Sequence, residues 1–282
     1  MPAPLLRIFL VSLALLAALP VLTRAAQASE LARAYLLEEL FVIMAEEGRH
    51  AALAEGAVPL QGGRLARFES DVNAIYDSER LLSAFLAELE AELEPRPAWR
   101  EEALAFADTD LGQRVLRLEI TAREALLDDA VDETARIALD DARAAPASSP
   151  RAARLALVRA RIDANDLTEL NVSLGLNTSL AYYRGMQDED AVFGLSDDDL
   201  LRLVWEQERA IRADTEDWIE SYFLMAYQPL SDDEMRALVE YAATPAAVGF
   251  NQAMFRAFDT VFSDISRRLG QALGLRIRME EL

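Results

Sequence analysis

The sequence predicts an all-α protein made of two pseudo-repeated four-helix units that are joined by a linker and a connecting helix. Ala, Leu, Glu and Arg, which are strong helix formers, dominate a chain of 282 residues with only 11 Gly and 10 Pro. Apolar residues recur at steps of three and four, and no stretch sustains the alternation typical of a β-strand. A segment of the first half also reappears 135 positions later, which indicates a duplication.

Apolar periodicity and proline breaks divide the chain after residue 28 into nine helices. The predicted helices are 30–55, 65–93, 99–107, 110–143, 151–163, 167–186, 197–227, 232–243 and 245–273. The clearest linker is Ala-Pro-Ala-Ser-Ser-Pro at 145–150. We therefore expect a first helical repeat at 29–144, the linker and connecting helix at 145–165, and a second helical repeat at 166–282.

The repeat is clearest at two joints between helices. Residues 101–109 (EEALAFADT) correspond to residues 236–244 (RALVEYAAT), and each segment leads from a short helix into a longer one. The motif residues are Phe106, Thr109 and Gly112 in the first joint and Tyr241, Thr244 and Pro245 in the second. Thr can cap the next helix, Pro suits its first turn, and Gly lets two backbones approach closely. We predict that Phe106 and Tyr241 take matching buried positions in two superposable hairpins.

The second joint, YAATPAA at 241–247, resembles the hallmark of a family of secreted bacterial helical proteins classed as a domain of unknown function. That hallmark reads aromatic, aromatic or small, any residue, Ser or Thr, Pro, any residue, Gly. Ala247 stands where Gly is usual, and in the first joint Asp110 stands where Pro is usual. The resemblance covers about 40 residues of each half. It implies an exported all-helical protein, and it implies no particular reaction.

Residues 1–28 have the features of a signal peptide. Arg7 supplies a positive start, 8–19 is an apolar run of about 12 residues, and Ala-Gln-Ala at 26–28 fits a cleavage site before Ser29. The apolar run is short for a membrane span, which takes roughly 20 residues. We therefore expect a periplasmic or secreted protein whose mature form has no membrane span.

The composition argues against several functional classes. The chain has 28 basic residues, all Arg, against 49 acidic residues, one His and no Cys, for a net charge of −21. Such acidity argues against nucleic acid as a partner, and the lack of Cys removes disulfides, thiolate nucleophiles and Cys-based metal sites. His50 lies in a charged stretch that favours a solvated position, and the acidic segments 108–119 and 188–190 lack the glycine of a calcium loop. We expect no catalytic residue, metal ligand or cofactor.

The segment 171–184 is the candidate surface for a ligand or partner. It reads NVSLGLNTSLAYYR, and its residues are mediocre helix formers in a chain of good ones. Small polar residues of this kind either allow close helix packing or line a polar pocket inside a bundle, and both interpretations stay open. The residues of this candidate surface are Asn171, Asn177, Tyr182, Tyr183 and Arg184.

Three functions fit these observations. The leading interpretation is a non-enzymatic binding or interaction module of the cell envelope, which binds an envelope protein or a small ligand. The first alternative is a hydrolase of envelope material that uses a pair of carboxylates. The second is a carrier with a cavity for a small apolar ligand between the two halves. Trp99, Trp205 and Trp218 lie on amphipathic helices and are expected in the core or at its rim rather than in a sugar-binding cleft.

Overall fold

The computed structural model describes residues 27–191 and 194–278, and the described chain is all-helical, with no β-strand. The helices are α1 (27–34), α2 (Leu37–Gly56), α3 (Gly63–Ile75), α4 (Ser78–Leu93), α5 (Pro97–Ala107), α6 (Asp110–Ala125), α7 (Asp129–Ala144), α8 (Pro150–Asp163), α9 (Leu167–Asp188), α10 (Asp197–Glu206), α11 (Glu208–Ala226), α12 (Asp232–Ala242) and α13 (Pro245–Arg278). The predicted signal peptide lies outside the described residues, apart from its last two. No described helix is long and apolar enough to cross a bilayer.

Four helices that were predicted to be continuous are each divided in two. Leu36 adopts a left-handed conformation, with φ of 54°, and separates α1 from α2. Asp77 and Asp128 lie in extended conformations. Their side chains cap α4 and α7 by accepting hydrogen bonds from backbone N–H groups in the first turn of each helix. Gln207 separates α10 from α11. The apolar periodicity runs through these breaks because both parts of each pair turn their apolar residues toward the protein interior, so the pattern hides the break.

The last helix, α13, is the central element of the fold. It has 34 residues and is therefore about 50 Å long. It packs along α9 and also against α3, α4 and α5. A Cβ added to Gly185 of α9 or to Gly270 of α13 would lie well under 3.0 Å from a backbone carbonyl oxygen of the other helix. The two glycines therefore let the α9 and α13 backbones touch.

The two main hydrophobic cores are each built from both sides of the 145–149 linker. The first core joins α1, α2, α4 and α5 to α13, and it includes Phe41, Phe85 and Phe250. The second core joins α6 to α8, α11 and α12, and it includes Val115 and Tyr227. Each side of the linker thus supplies helices that the other side needs to bury its apolar surface.

Both predicted joint threonines cap the helix that follows. Thr109 Oγ1 accepts a hydrogen bond from the Gly112 N–H at 2.9 Å, and Thr244 Oγ1 accepts one from the Ala247 N–H at 3.2 Å. A Cβ on Gly112 would lie well under 3.0 Å from the carbonyl oxygen of Phe106, so this position requires glycine. The predicted capping by Thr and the predicted close approach at Gly are both confirmed.

Phe106 and Tyr241 contact each other, which the sequence did not predict. Their ring centroids are 3.7 Å apart and the ring planes differ by 6°. Both side chains are half-buried rather than fully buried. The two joints therefore meet face to face through their aromatic residues.

Candidate functional site

A cavity of about 440 Å³ lies between the two halves of the chain, where the α1–α2 turn, α2, α6, α9, α11 and α13 meet. Its volume falls within the range of roughly 300–1,000 Å³ that is usual for pockets that hold small molecules. Helices from both sides of the linker form its wall, so the cavity depends on the complete fold. We call it the central cavity.

Most of the central cavity wall is apolar and aromatic. Phe255, Phe258 and Phe262 are spaced by three and four residues, which places them on one face of α13 toward the cavity. The rings of Phe258 and Phe262 stack with centroids 5.5 Å apart. The other apolar lining residues are Leu37, Leu40, Met44, Leu116, Ile120, Leu174 and Met254.

Glu119 of α6 is the acidic residue in the wall of the central cavity. Its Oε1 accepts a hydrogen bond of 2.5 Å from the hydroxyl group of Tyr227, a residue that is fully buried. Burial raises the pKa of the Glu119 carboxyl group, and the nearby Arg161 and the Tyr227 hydroxyl oppose this rise. Glu119 is nonetheless partly accessible and is one of the residues that line the cavity.

Arg161 of α8 is the positive charge that attracts the Glu119 carboxyl group. The guanidinium group lies 5.8 Å from the centre of the Phe223 ring, in the second core. Its Nε and Nη1 atoms are buried and have no hydrogen-bond partner among the described residues. Arg161 therefore contributes charge to the polar end of the cavity without a direct hydrogen bond to Glu119.

A second polar group of the cavity wall is already neutralised. Arg123 forms an ion pair with Glu47 of α2, with 2.7 Å between Nη2 and Oε2. The same guanidinium lies 5.5 Å from the ring centre of Trp218, which stacks on Tyr222 with centroids 5.2 Å apart. This arrangement holds the Trp218 indole at the edge of the cavity, as a cation–π contact and an aromatic stack both favour one orientation.

Of the residues predicted from the segment 171–184, Asn171 lines the central cavity. Its Nδ2 donates a hydrogen bond of 2.8 Å to the carbonyl oxygen of Leu167, one turn earlier in α9. Its Oδ1 has no donor among the described residues. The side chain therefore presents an acceptor near the cavity.

The other predicted residues of α9 have different neighbours. Asn177 donates to Asp259 at 2.9 Å, and the Tyr182 hydroxyl donates to Glu55 at 2.6 Å. The Tyr183 hydroxyl lies 3.5 Å from a side-chain nitrogen of Gln207. Arg184 lies 3.8 Å from Asp197. These four side chains link α9 to α2, α10 and α13 and to Gln207, and the structure does not gather them into one site with Asn171.

A polar groove of about 730 Å³ lies beside the central cavity, between α7, α9 and α11. Asn171 and Trp218 line both spaces, so these two side chains stand between the groove and the cavity. The groove also holds Asp140 and Asp214, which are exposed, and Arg143, which forms ion pairs with two acidic residues of α11. The groove is a polar surface next to the apolar interior.

The remaining candidates from the sequence lie away from the central cavity. His50 is exposed on α2, and Trp99 packs against Gly249 of α13. The expectation that all three Trp residues pack in the core or at its rim is wrong for Trp205, which is 69% exposed on α10. Among the described residues, no group of three or more His, Asp or Glu is placed to hold a metal ion.

Sequence reasoning missed Glu119, although the pattern contains a signal for it. Val115, Ala122 and Leu126 mark the apolar stripe of the predicted helix 110–143, and Glu119 falls on that stripe at the expected spacing of three and four. An acidic residue within an apolar stripe is rarely buried without a polar partner. Its partner Tyr227 lies 108 positions away in sequence, and no local pattern connects the two.

Comparison of this chain with protein-family models, curated proteins and solved structures finds no match. Membership of the secreted helical family that the second joint resembles therefore stays a prediction.

Proposed function

We propose that this chain is an exported, non-enzymatic binding protein that holds a small, largely apolar ligand in the central cavity. The observation that carries the proposal is a space of about 440 Å³ whose wall is mainly Leu, Met and Phe side chains with a few polar groups. Binding sites for small molecules have this composition, because apolar walls supply affinity and a few polar groups fix orientation. The features of the signal peptide at 1–28 support export.

The charged groups around the cavity support binding over hydrolysis. A glycoside hydrolase needs two carboxyl groups on either side of the scissile bond. Glu119 is the one carboxyl-bearing residue among those that line the cavity. In the adjacent groove, Asp140 and Asp214 are exposed to solvent, which is a poor environment for a proton-donating acid.

We also propose that the chain arose by duplication and that its two pseudo-repeated units are related by an approximate twofold axis. The helices α5 and α12 both have 11 residues, and they begin 135 positions apart. The starts of α6 and α13 are also 135 positions apart. The contact of α4 with α13 has a counterpart in the contact of α11 with α6. Such exchange of equivalent contacts is expected when two similar units pack symmetrically.

Individual side chains support the same axis. A twofold axis repeats a contact between residues i and j as a contact between i + 135 and j − 135. Trp99 packs on Gly249, and the positions that correspond to them hold the ion pair between Glu234 and Arg114, at 2.6 Å. Residues 106 and 241 are each other's counterparts, and they meet in the aromatic stack.

Ligand binding can be tested with N-phenyl-1-naphthylamine, an apolar dye that fluoresces in apolar surroundings. We expect saturable binding by the mature protein. Leu116→Trp and Leu174→Trp place bulk in the cavity wall on two different helices, α6 and α9, and should abolish the signal. Ile137→Trp adds the same ring at a position that is 55% exposed and should bind the dye like the wild type. Folded Leu116→Trp and Leu174→Trp variants that still bind the dye normally would contradict the proposal.

Export can be tested by the intact mass of the protein recovered from its native host. Cleavage after residue 28 predicts a chain that begins at Ser29. Retention of residues 1–28 in a membrane fraction would contradict export in the proposed form.

A further inference from the structure

The charges around the central cavity balance before any ligand enters. Arg123 is paired with Glu47 by direct contact, at 2.7 Å. Glu119 has Arg161 as the nearby opposite charge that favours its ionised form. Two acids and two arginines thus surround the polar end of a largely apolar space. A ligand with a net charge would add an unbalanced charge in a desolvated place, and such a charge is costly.

The tyrosine hydroxyl hydrogens around the cavity are directed at protein acceptors. The Tyr35 hydroxyl donates to the carbonyl oxygen of Ala103 at 3.1 Å, and the Tyr222 hydroxyl donates to the carbonyl oxygen of Glu119 at 3.0 Å. The hydroxyl group of Tyr227 donates to the Glu119 carboxyl group itself. These three hydroxyl groups retain only lone pairs for further hydrogen bonds.

The Glu119 carboxyl group keeps most of its acceptor capacity for a ligand. A carboxylate has about four acceptor sites on its two oxygens, and Tyr227 is the one donor to the Glu119 carboxyl group among the described residues. Asn171 uses one of its two amide hydrogens for Leu167 and leaves its oxygen without a donor among the described residues. A ligand that enters this cavity meets the Glu119 acceptor at the polar end and aromatic faces along the wall of α13.

We infer that the ligand is an uncharged molecule with a flat apolar body and one hydroxyl or N–H group, which donates a hydrogen bond to the carboxyl group of Glu119. This inference rests on the proposed function, because it assigns chemistry to the occupant of the central cavity. The stacked rings of Phe258 and Phe262 suit a flat body, since aromatic faces pack well on planar apolar groups. Glu119 is then the residue that selects the ligand by its donor.

A matched pair of neutral fluorescent probes tests the hydrogen bond. 1-Hydroxypyrene has a donor, whereas 1-methoxypyrene has the same flat body and no donor. Fluorescence anisotropy at near-neutral pH should show that the mature protein binds 1-hydroxypyrene about tenfold or more tightly than 1-methoxypyrene. This difference is expected for a hydrogen bond to a charged acceptor. The charged analogues 1-pyrenecarboxylate and 1-pyrenemethylammonium should both bind more weakly than 1-hydroxypyrene.

Glu119→Gln is the decisive variant. The Tyr227 hydroxyl occupies the one side-chain oxygen of Gln, so the amide nitrogen, a donor, is left to face the ligand. In this variant the two probes should bind with about equal affinity, or 1-methoxypyrene should bind more tightly. Binding of 1-methoxypyrene itself should persist. Glu124→Gln makes the same change at an exposed position of the same helix and should keep the wild-type preference.

The outcomes separate the two proposals. Equal binding of both neutral probes by the wild type, with loss of both in Leu174→Trp, would overturn the assignment of the ligand class and leave the binding function standing. Tighter binding of either charged analogue would also overturn the assignment. If neither these probes nor N-phenyl-1-naphthylamine bind to the folded protein, the proposed function itself fails.

Discussion

Truncating Phe106 or Tyr241 to Ala removes one ring of the stack that joins the two helix joints. A fully buried Phe costs roughly 3–5 kcal/mol when it is replaced by Ala. Both rings are half-buried, so each single variant should lose about half of that free energy of unfolding, or about 1.5–2.5 kcal/mol. The contact between the rings contributes about 0.5–1.5 kcal/mol beyond the buried area.

A double-mutant cycle measures that contact directly. Urea unfolding of Phe106→Ala, Tyr241→Ala and the double variant gives three changes in the free energy of unfolding. The double variant should be less destabilised than the sum of the single variants by about 0.5–1.5 kcal/mol, because the second truncation removes a contact that is already lost. Each 1 kcal/mol corresponds to a fall of roughly 2–4 °C in Tm for a domain of this size.

A second cycle supplies the control. Leu139 lies in a separate small core with Ala142 and Leu155, so Phe106→Ala and Leu139→Ala should be additive within about 0.5 kcal/mol. Additivity of Phe106→Ala and Tyr241→Ala would refute the reasoning, because the rings would then not interact. A Tyr241→Ala variant as stable as the wild type would refute it as well.

Further predictions concern the glycine contacts and Glu119. Gly112→Ala should destabilise the protein by about 1–3 kcal/mol by overpacking against the backbone of the preceding helix, whereas Gly63→Ala, with its nearest neighbour atom 3.7 Å away, should be neutral or stabilising in urea unfolding. Gly185→Ala should lower Tm by several degrees in calorimetry, because its Cβ meets the backbone of α13. Burial raises the pKa of Glu119 above its ordinary value of 4.5. The contribution of Glu119 to the free energy of unfolding is therefore complete below pH 4.5, and it is lost as the pH rises through the pKa of the folded state. The stability of Glu119→Gln relative to the wild type should therefore increase from about pH 4 to neutral pH, and a constant difference in urea unfolding would contradict this. Tyr227→Phe removes a hydrogen bond to the ionised carboxyl group of Glu119. The free energy of unfolding should therefore decline more steeply with rising pH in this variant than in the wild type, as urea unfolding over the same pH range would show.

The sequence predicted the helical class and most helix ends, because those depend on local composition. Pro97 and Pro245 mark helix starts that the structure retains, and Ser149 caps α8 directly after the linker. The divisions at Leu36 and Asp77 were missed. A left-handed Leu is rare, and an Asp cap within a continuous apolar stripe gives no change in periodicity.

The central cavity could be predicted only in part. Asn171 was identified because weak helix formers stand out in α9, and it does line the cavity. Glu119 and Arg161 belong to different helices, and they come together only through the way α6, α8 and α11 pack. Contacts between residues far apart in sequence leave no local pattern, and the cavity is made of such contacts.

The position of α13 after the other described helices has a consequence for biosynthesis. A ribosome completes α1 to α5 long before it makes α13, so Phe41 and Phe85 have no Phe250 to pack against until α13 is made. Domains usually fold one after another as they emerge, but here the earliest helices wait for α13. Until α13 is made, the apolar residues of the first core that pack on it lack this partner, and transiently exposed apolar surface favours aggregation. A premature stop codon before codon 245 would remove α13 and leave the first core without Phe250, Ala253 and Val261.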